Sequence, residues 1–527
     1  MKHVLVTDHL QEVGAEALRR EGLEVDVVPP LPEEELCQRI GRYEGLIVRS
    51  ATKVTARVIE AGHNLRVVGR AGTGVDNIDV DAASRRGIIV MNTPGANTIA
   101  AAEHTLALLL TLARKIPEAH GALRERKWER ERFVGVEVYG KTLGVIGLGR
   151  IGTEVARRAL GLRMQVIAYD PYLAAEVAQR LGVELTDLPE LFRRSDFITV
   201  HTPLTAETRN FIGAEEIARM KAGVRLINCA RGGVINEQAL AHAILSGRVA
   251  GAAVDVFEKE PPWDSPLLGL SQVITTPHLG ASTEEAQTGV ALAIAQQVAD
   301  ALIRGIVRNA ANVPSVEPEI LKELQPYLTL AEKMGSFLGQ LADGRMAELR
   351  LAYAGEVASL STAPLTVSVL KGLLAPILGE GQVTDVNAPY LARERGLKIT
   401  ESVTQESEDY ASLLTAELRT DKGVQEIAGT IFHKREPRIV RIDGYALEAA
   451  PAGWMLVFSN RDVPGVIGQI GTIFGSHQIN IAGMQLGRER PGGRAVSILN
   501  LDGPVPDPVL QEIQNLPTIV SAKLVHL

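Results

Sequence analysis

Residues 142–170 read TLGVIGLGRIGTEVARRALGLRMQVIAYD, and the fold is decided there. An apolar run at 143–146 enters the loop Gly147-Leu148-Gly149-Arg150-Ile151-Gly152. A helical pattern follows over 154–162, and a second apolar run ends at Asp170. Strand, glycine loop, helix and strand in this order form a βαβ unit. The acidic residue falls 18 positions after Gly152, against the ~20 of a dinucleotide-binding unit. Gly147 permits the tight turn, Gly149 lets backbone approach a pyrophosphate, and Gly152 lets the helix pack closely on the sheet. The helix start offers free N–H groups and a positive dipole end to phosphate. A carboxylate at Asp170 binds the adenosine ribose and repels the extra phosphate of NADP, so NAD is the expected cofactor.

Outward from this unit, the runs DFITVHTP, RLINCAR, GAAVDVF and QVITTPH read as further strands of one parallel sheet. Before it, residues 1–94 alternate β runs at 4–6, 46–48 and 67–69 with helical patterns, a second βα series. A helical stretch over 97–114, capped at Thr98, joins the two series. Another, over 283–304, follows His278 and would return the chain to the first. The stretch NVPSVEP at 312–318 reads as a linker. Residues 452–527 read β-α-β-β-α-β, a ferredoxin-like order whose first helix starts at Val463.

Composition removes several function classes. The net charge is −8, from 55 basic and 63 acidic residues without a long basic run, which argues against nucleic acid as the main ligand. Cys37 and Cys229 alone give neither a disulfide framework nor zinc-ligand spacing, so no metal is expected. The most apolar stretch, 100–113, contains Glu103 and His104 and is too short to cross a bilayer. The opening MKHVLVTDHL has no signal-peptide pattern, so a cytoplasmic protein without membrane partners is expected.

Several strand ends carry polar runs: Asn228-Cys229-Ala230-Arg231, then Asp255 to Glu260, then Thr276-Pro277-His278-Leu279-Gly280-Ala281. With Arg70-Ala71-Gly72-Thr73-Gly74 and Asn92 to Asn97, these resemble the D-2-hydroxyacid dehydrogenases over residues 3–312. The resemblance implies that Arg231, Glu260 and His278 are catalytic. It implies cofactor contacts from Thr73, Gly147, Gly149, Arg150, Ile151, Gly152, Asp170, Thr202, Cys229, Ala230, Arg231, Asp255, His278, Leu279, Gly280 and Ala281. It also marks 98–132 as a dimerisation element. The chemistry agrees: histidine can accept a hydroxyl proton near neutral pH. A carboxylate favours its imidazolium form, and an arginine can clamp the substrate carboxylate. Spacing alone leaves Glu258 as an alternative to Glu260, and Cys229 reads as packing rather than a nucleophile.

The run Val48-Arg49-Ser50-Ala51-Thr52-Lys53 looks like a phosphate site, since arginine forks match phosphate oxygens. Arg49 would clamp the phosphate with Arg70 or with Arg130 of a second copy, the Gly72 and Gly74 backbone would form an anion nest for the substrate carboxylate, and Ser50 and Asn97 complete the expected substrate-binding set. The other reading makes Arg49 a strand cap and Lys53 a solvated charge. Asn460-Arg461-Asp462-Val463-Pro464-Gly465 and Ile479-Asn480-Ile481 resemble an ACT domain, a module that commonly binds amino acids. Residues 319–449 resemble, by placement, the intervening domain of long-form family members.

The implied α/β architecture is a Rossmann-type NAD domain (96–278) inserted in a flavodoxin-like substrate domain (1–95 and 279–312). An α+β intervening domain (317–449) and a ferredoxin-like ACT domain (452–527) follow. The implied activity is NAD-dependent oxidation of D-3-phosphoglycerate in serine biosynthesis, by a homodimer or homotetramer. L-serine would be an effector at Asn460, Asp462 and Asn480, with the strand carrying Asn460 pairing across a dimer edge. The alternatives are a glyoxylate/hydroxypyruvate or D-lactate dehydrogenase of the family, or a non-catalytic NAD-sensing regulator on the same fold.

Overall fold

A computed structural model describes residues 1–314, 318–379, 381–407 and 409–527. The first sheet contains β1 (His3–Val6), β2 (Glu24–Val27), β3 (Gly45–Val48), β4 (Val67–Arg70) and β5 (Ile89–Met91). All are parallel, in the order β2-β1-β3-β4-β5. Central strands such as GLIV are buried along their whole length, so both faces need cover. On one face Val4 and Val6 meet Leu18 of helix Glu12–Arg20 and Ile294 of helix Glu284–Ala299. On the other, Leu5 and Leu46 meet Leu36 and Val58. The chain thus returns to this core after His278. Thr283 caps the returning helix through Ala286 N at 3.2 Å.

The second sheet contains β6 (Thr142–Ile146), β7 (Gln165–Tyr169), β8 (Glu184–Leu185), β9 (Phe197–Val200), β10 (Val224–Asn228), β11 (Val249–Val254) and β12 (Val273–Thr275). Its order is β12-β11-β10-β9-β6-β7-β8, all parallel. Strand order reverses between β6 and β9, and a ligand crevice forms beyond the carboxyl ends of strands at such a point. Helix Thr98–Arg114 packs Ala102, Leu109 and Ala113 against Val155 and Ala159 of this unit. Its cap position is Asn97 rather than the expected Thr98, which already lies in the first helical turn.

The third sheet contains β13 (Met346–Gly355), β14 (Lys398–Thr404), β15 (Ser412–Thr420), β16 (Gly423–Phe432), β17 (Glu436–Ile442) and β18 (Tyr445–Ala449), ordered β14-β13-β15-β16-β17-β18. Helices Pro318–Leu341 and Ala363–Leu378 pack together beside it, so closely that a Cβ on Gly372 would strike the carbonyl oxygen of Glu332. The expected linker at 312–318 lies partly outside the described residues.

The last sheet contains β19 (Trp454–Arg461), β20 (Ile481–Arg488), β21 (Arg494–Leu501) and β22 (Ile519–His526), antiparallel in the order β20-β21-β19-β22. Two expectations are corrected here. The first helix is Val466–Ser476, not one from Val463, because Gly465 at φ 98° is the cap and a turn at 464–465 precedes the first helical residue. The strand carrying Asn460 is not an edge: β19 is bonded on both sides, by β21 and β22. A β-α-β-β-α-β crossover leaves β20 and β22 as edges instead. Among the described residues, no helix is long and apolar enough to cross a membrane, and no cluster of metal ligands occurs.

Candidate active site

Beyond the ends of β11 and β12 the chain places Asp255, Glu260 and His278 together. His278 sits in the left-handed region, φ 55°, and its backbone N–H donates to Asp255 O at 2.9 Å. Its ring Nδ1 lies 2.9 Å from Glu260 Oε2. Burial pushes the Glu260 carboxyl up, but the hydrogen bond and charge of His278 outweigh it and hold the group below its ordinary range. An anionic partner at Nδ1 makes that nitrogen the donor and leaves Nε2 for another ligand. Glu258 faces away: its N–H donates to Glu237 at 2.8 Å and its carboxylate lies 3.9 Å from Arg209. Glu260 is therefore the partner.

This pair opens on a cavity of about 340 Å³ whose walls include Arg49, Arg70 and Arg231. Ser50, Gly72, Thr73, Gly74, Asn97 and Ala281 also line it. Burial, then the charge of Arg231, lower the Arg70 pKa to about 10. Arg70 Nε is buried without a hydrogen-bond partner among the described residues, and such a donor needs an acceptor. The Arg49 loop is held on two sides. Asp8 Oδ2 accepts from Arg49 N at 2.9 Å and Thr52 N at 2.8 Å. Asn77 Nδ2 donates to the carbonyls of Arg49 and Thr52, both at 2.7 Å. Lys53 is exposed and does not line the cavity. Arg130, in the segment Arg130–Phe133, is outside its own chain's cavity.

Arg231 passes over Gly74 and pairs with Asp76, Nε to Oδ2 3.3 Å. A Cβ on Gly74 would come within 2.5 Å of the Arg231 guanidinium and 2.6 Å of the Asp76 carboxylate. Asp8, Asp76, Asn77 and His104 were not singled out as site residues from the sequence. Asp76 and Asn77 directly follow the glycine loop, and His104 interrupts an otherwise apolar helix; these were the available signals.

At the dinucleotide loop Gly147 adopts φ 90°, and a Cβ there would lie 2.8 Å from His201 O. Gly149 caps helix Arg150–Gly161 and has open space where a Cβ would stand. Asp170 Oδ2 accepts from Leu148 N and Oδ1 from Tyr172 N, each at 2.9 Å, which fixes the carboxylate beside the loop. Thr202 Oγ1 is buried with no partner among the described residues. An open glycine cradle, an oriented carboxylate and an unpartnered hydroxyl fit NAD. Ile151 packs into the core behind the loop. Burial pushes the Cys229 thiol up to about 12, as suits a packing residue. Ala230 is buried beside it, and Leu279 remains partly exposed. Asp255 is also expected at the cofactor. It has no exposed surface, and its carboxylate accepts from Thr276 Oγ1 at 2.6 Å, Leu279 N at 2.7 Å and Gly280 N at 2.9 Å.

In the last unit the three expected effector residues do not converge within one chain. Asn460 lies at the end of β19, with its Oδ1 buried and without a hydrogen-bond partner among the described residues, and Asp462 lies 3.2 Å from Arg488. Asn480 donates to Asp502 at 2.7 Å and precedes Ile481, whose row is that of Trp454. That is the opposite end of the sheet, roughly 20 Å away at ~3.3 Å per residue.

Three family models match the chain. They are the D-isomer specific 2-hydroxyacid dehydrogenase NAD binding domain over 106–280, the D-3-phosphoglycerate dehydrogenase intervening domain over 323–443, and the ACT domain over 454–518. A D-3-phosphoglycerate dehydrogenase from Synechocystis is 46% identical, covering 100% of this chain and 95% of its own. That of Methanocaldococcus jannaschii is also 46% identical, covering both chains completely. The chain belongs to the D-3-phosphoglycerate dehydrogenase family. Members share an NAD-binding 2-hydroxyacid dehydrogenase domain, and this chain is an NAD-dependent enzyme of that kind. Solved structures align with its first part. D-lactate dehydrogenase from Aquifex aeolicus, complexed with NAD and lactic acid, is 30% identical with a TM-score of 0.53, covering 59% of this chain and 100% of that one. TT0316 protein from Thermus thermophilus is 36% identical with a TM-score of 0.55, covering 59% and 99%.

Proposed function

We propose that His278, Glu260 and Arg231 carry the oxidation of D-3-phosphoglycerate to 3-phosphooxypyruvate, the NAD-dependent reaction that begins the phosphorylated route to L-serine. The observation that carries this reading is the opening of the Glu260–His278 pair onto a cavity lined by three arginines. A substrate with a carboxylate at one end and a phosphate at the other needs two cationic clamps flanking a proton acceptor. His278 Nε2 takes the hydroxyl proton while Glu260 holds Nδ1 and stabilises the charged ring. Arg231 exchanges Asp76 for the substrate carboxylate and polarises the 2-oxygen. Arg49, Ser50 and Arg70 take the phosphate with Arg130 of a second copy; Gly72, Gly74 and Asn97 shape the floor. NAD, when bound, accepts the hydride. Gly149 and Arg150 would hold its pyrophosphate in the turn that Gly147 and Gly152 make possible, and Asp170 its ribose. Thr73, Thr202, Ala230 and residues 279–281 enclose the rest.

The second copy is supported by apolar side chains left exposed over 116–134, Trp128 at 78% and Val134 at 71% among them. The domain limits we assign are 1–95 with 279–312, 96–278, 317–449 and 452–527. L-serine is the proposed effector. Because Asn480 and the Asn460–Asp462 turn lie at opposite ends of the sheet, one serine site using all three takes them from two copies. Two assays test the reading. NADH formation should be robust with 3-phosphoglycerate and fall about 10²–10⁴-fold in His278→Ala. Robust activity only with lactate or glycerate would replace the substrate, and none with any hydroxyacid would favour a regulator. Calorimetry should show serine binding to the parent and not to Asn480→Ala.

A further inference from the structure

We infer that His104 is a positioning residue for His278, acting through the buried carboxylate of Asp255. The inference rests on the reading of His278 as proton acceptor. Asp255 receives three consecutive N–H groups of the catalytic turn: His278 on its carbonyl oxygen, Leu279 and Gly280 on its carboxylate. Those bonds define where a histidine at φ 55° stands. The ring's direction is then set by Glu260, but the ring's place is set by Asp255.

A buried carboxylate holds its charge only if its oxygens are paired. Besides the turn, Asp255 has Thr276 Oγ1 at 2.6 Å and, among the described residues, one cation-capable neighbour, His104, with Nε2 3.2 Å from Oδ1. His104 Nε2 is also 3.3 Å from Thr276 Oγ1. The single hydroxyl hydrogen of Thr276 is given to Asp255, so both atoms facing Nε2 are acceptors. Nε2 therefore carries the proton, donating to Thr276 Oγ1 and facing the Asp255 carboxylate at 3.2 Å. Without that donor the carboxylate is free to turn toward Thr276, loosening the grip on Leu279 and Gly280. His104 stands on helix Thr98–Arg114, whose cap Asn97 is bonded to Thr73 Oγ1 at 2.8 Å in the substrate cavity. About two turns of one rigid helix thus separate a substrate-facing residue from the anchor of the proton acceptor.

The test compares the full chain with His104→Leu, His104→Gln, His104→Asn and His278→Ala. Turnover, KM for 3-phosphoglycerate, NADH affinity by fluorescence titration and melting temperature are measured for each. His104→Leu should lose about 10–100-fold in kcat, as expected for a reacting group displaced by a fraction of an ångström. Its KM and NADH affinity should stay within about threefold. His104→Gln keeps an amide N–H near the Nε2 position and should recover most of kcat. His104→Asn is too short to reach Asp255 and should not, which keeps the test open if the leucine variant fails to fold. Parent-like turnover in Leu and Asn variants overturns the inference. So does equal loss in Gln and Asn with a matching fall in melting temperature, since that marks a structural role alone. His278→Ala separates the two levels: if it turns over like the parent, the assignment of the proton acceptor fails. If it is inactive while His104→Leu is active, only this inference fails.

Discussion

Asp255 has no exposed surface yet remains ionised. Burial pushes its carboxyl up, but bonds from His104, Thr276 and Leu279 outweigh that and hold it below its ordinary value. A folded-state pKa below the unfolded ~3.9 adds stability at every pH above the unfolded value, and that contribution is lost as pH falls through the folded value. Asp255→Asn should therefore lower stability by about 2–4 kcal/mol. In urea unfolding the deficit should stay constant from pH 8 to about 5 and narrow only below about 4. Narrowing already at pH 6 would mean that the native carboxyl holds a proton. Glu260→Gln is a kinetic change instead. Without the carboxylate 2.9 Å from Nδ1 the ring of His278 loses the partner that orients it, so kcat should fall about 10–100-fold while NADH affinity stays near that of the parent. A parent-like kcat would remove Glu260 from the mechanism. Legibility at this scale followed chemistry. His278, Glu260 and Arg231 stood in polar runs at strand ends and could be read from the sequence. Glu258 could not be dismissed from spacing, because two residues along a loop encode no direction. The bonds that Thr276, Leu279 and Gly280 make to the Asp255 carboxylate could not be read either, because they join a loop to a strand end more than twenty residues away.

The glycine loop shows how one element divides its positions between packing and binding. A Cβ on Gly152 would strike the carbonyl oxygen of Gly147, whereas one on Gly149 meets nothing within 4 Å and has an ordinary φ of −71°. Gly152→Ala should depress both melting temperature and NADH affinity, since the helix must move off the sheet. Gly149→Ala should leave the melting temperature within about a degree or two, a change worth well under 1 kcal/mol. It should still weaken NADH by about tenfold or more, because the new methyl occupies space needed by the pyrophosphate. Equal affinity for NADH in Gly149→Ala and parent would show that the open space is not the phosphate cradle. The loop was legible because its flanking strands are continuous apolar runs. The edge strand β2, EVDV, was missed: it is mostly exposed and carries two acids in four residues. The interior place of β19 was missed for a different reason, since strand order in a ferredoxin-like sheet comes from crossover connections and not from local pattern.

At the scale of the whole molecule the four units are not equally separable. The ACT sheet is buried on both faces. Phe458, Ile470 and Phe474 pack under its own helices, while Met455, Val457, Ile498 and Val525 share one core with Leu330, Phe337 and Leu338 of helix Pro318–Leu341. Polar bonds reinforce this junction: Lys523 Nζ donates to Leu341 O at 2.6 Å, and Gln340 Oε1 accepts from His526 N at 2.9 Å. The catalytic part, in contrast, aligns with complete solved chains covering 59% of this one, as a unit that folds by itself would. Two truncations should then behave oppositely to their lengths. A chain ending at residue 312 should melt in one cooperative transition and bind NADH with an affinity near that of the parent. A chain ending at residue 450 retains more sequence but uncovers the face of helix Pro318–Leu341 that the ACT sheet occupies, a contiguous apolar surface of the kind that drives aggregation. It should lose the melting transition of the intervening unit and aggregate at concentrations where the shorter chain stays monodisperse. Light scattering and calorimetry on both read the outcome. A monodisperse chain ending at 450 with a normal melting profile would show that the ACT domain is an independent appendage, and that any serine signal must reach the catalytic unit by a route other than this shared core.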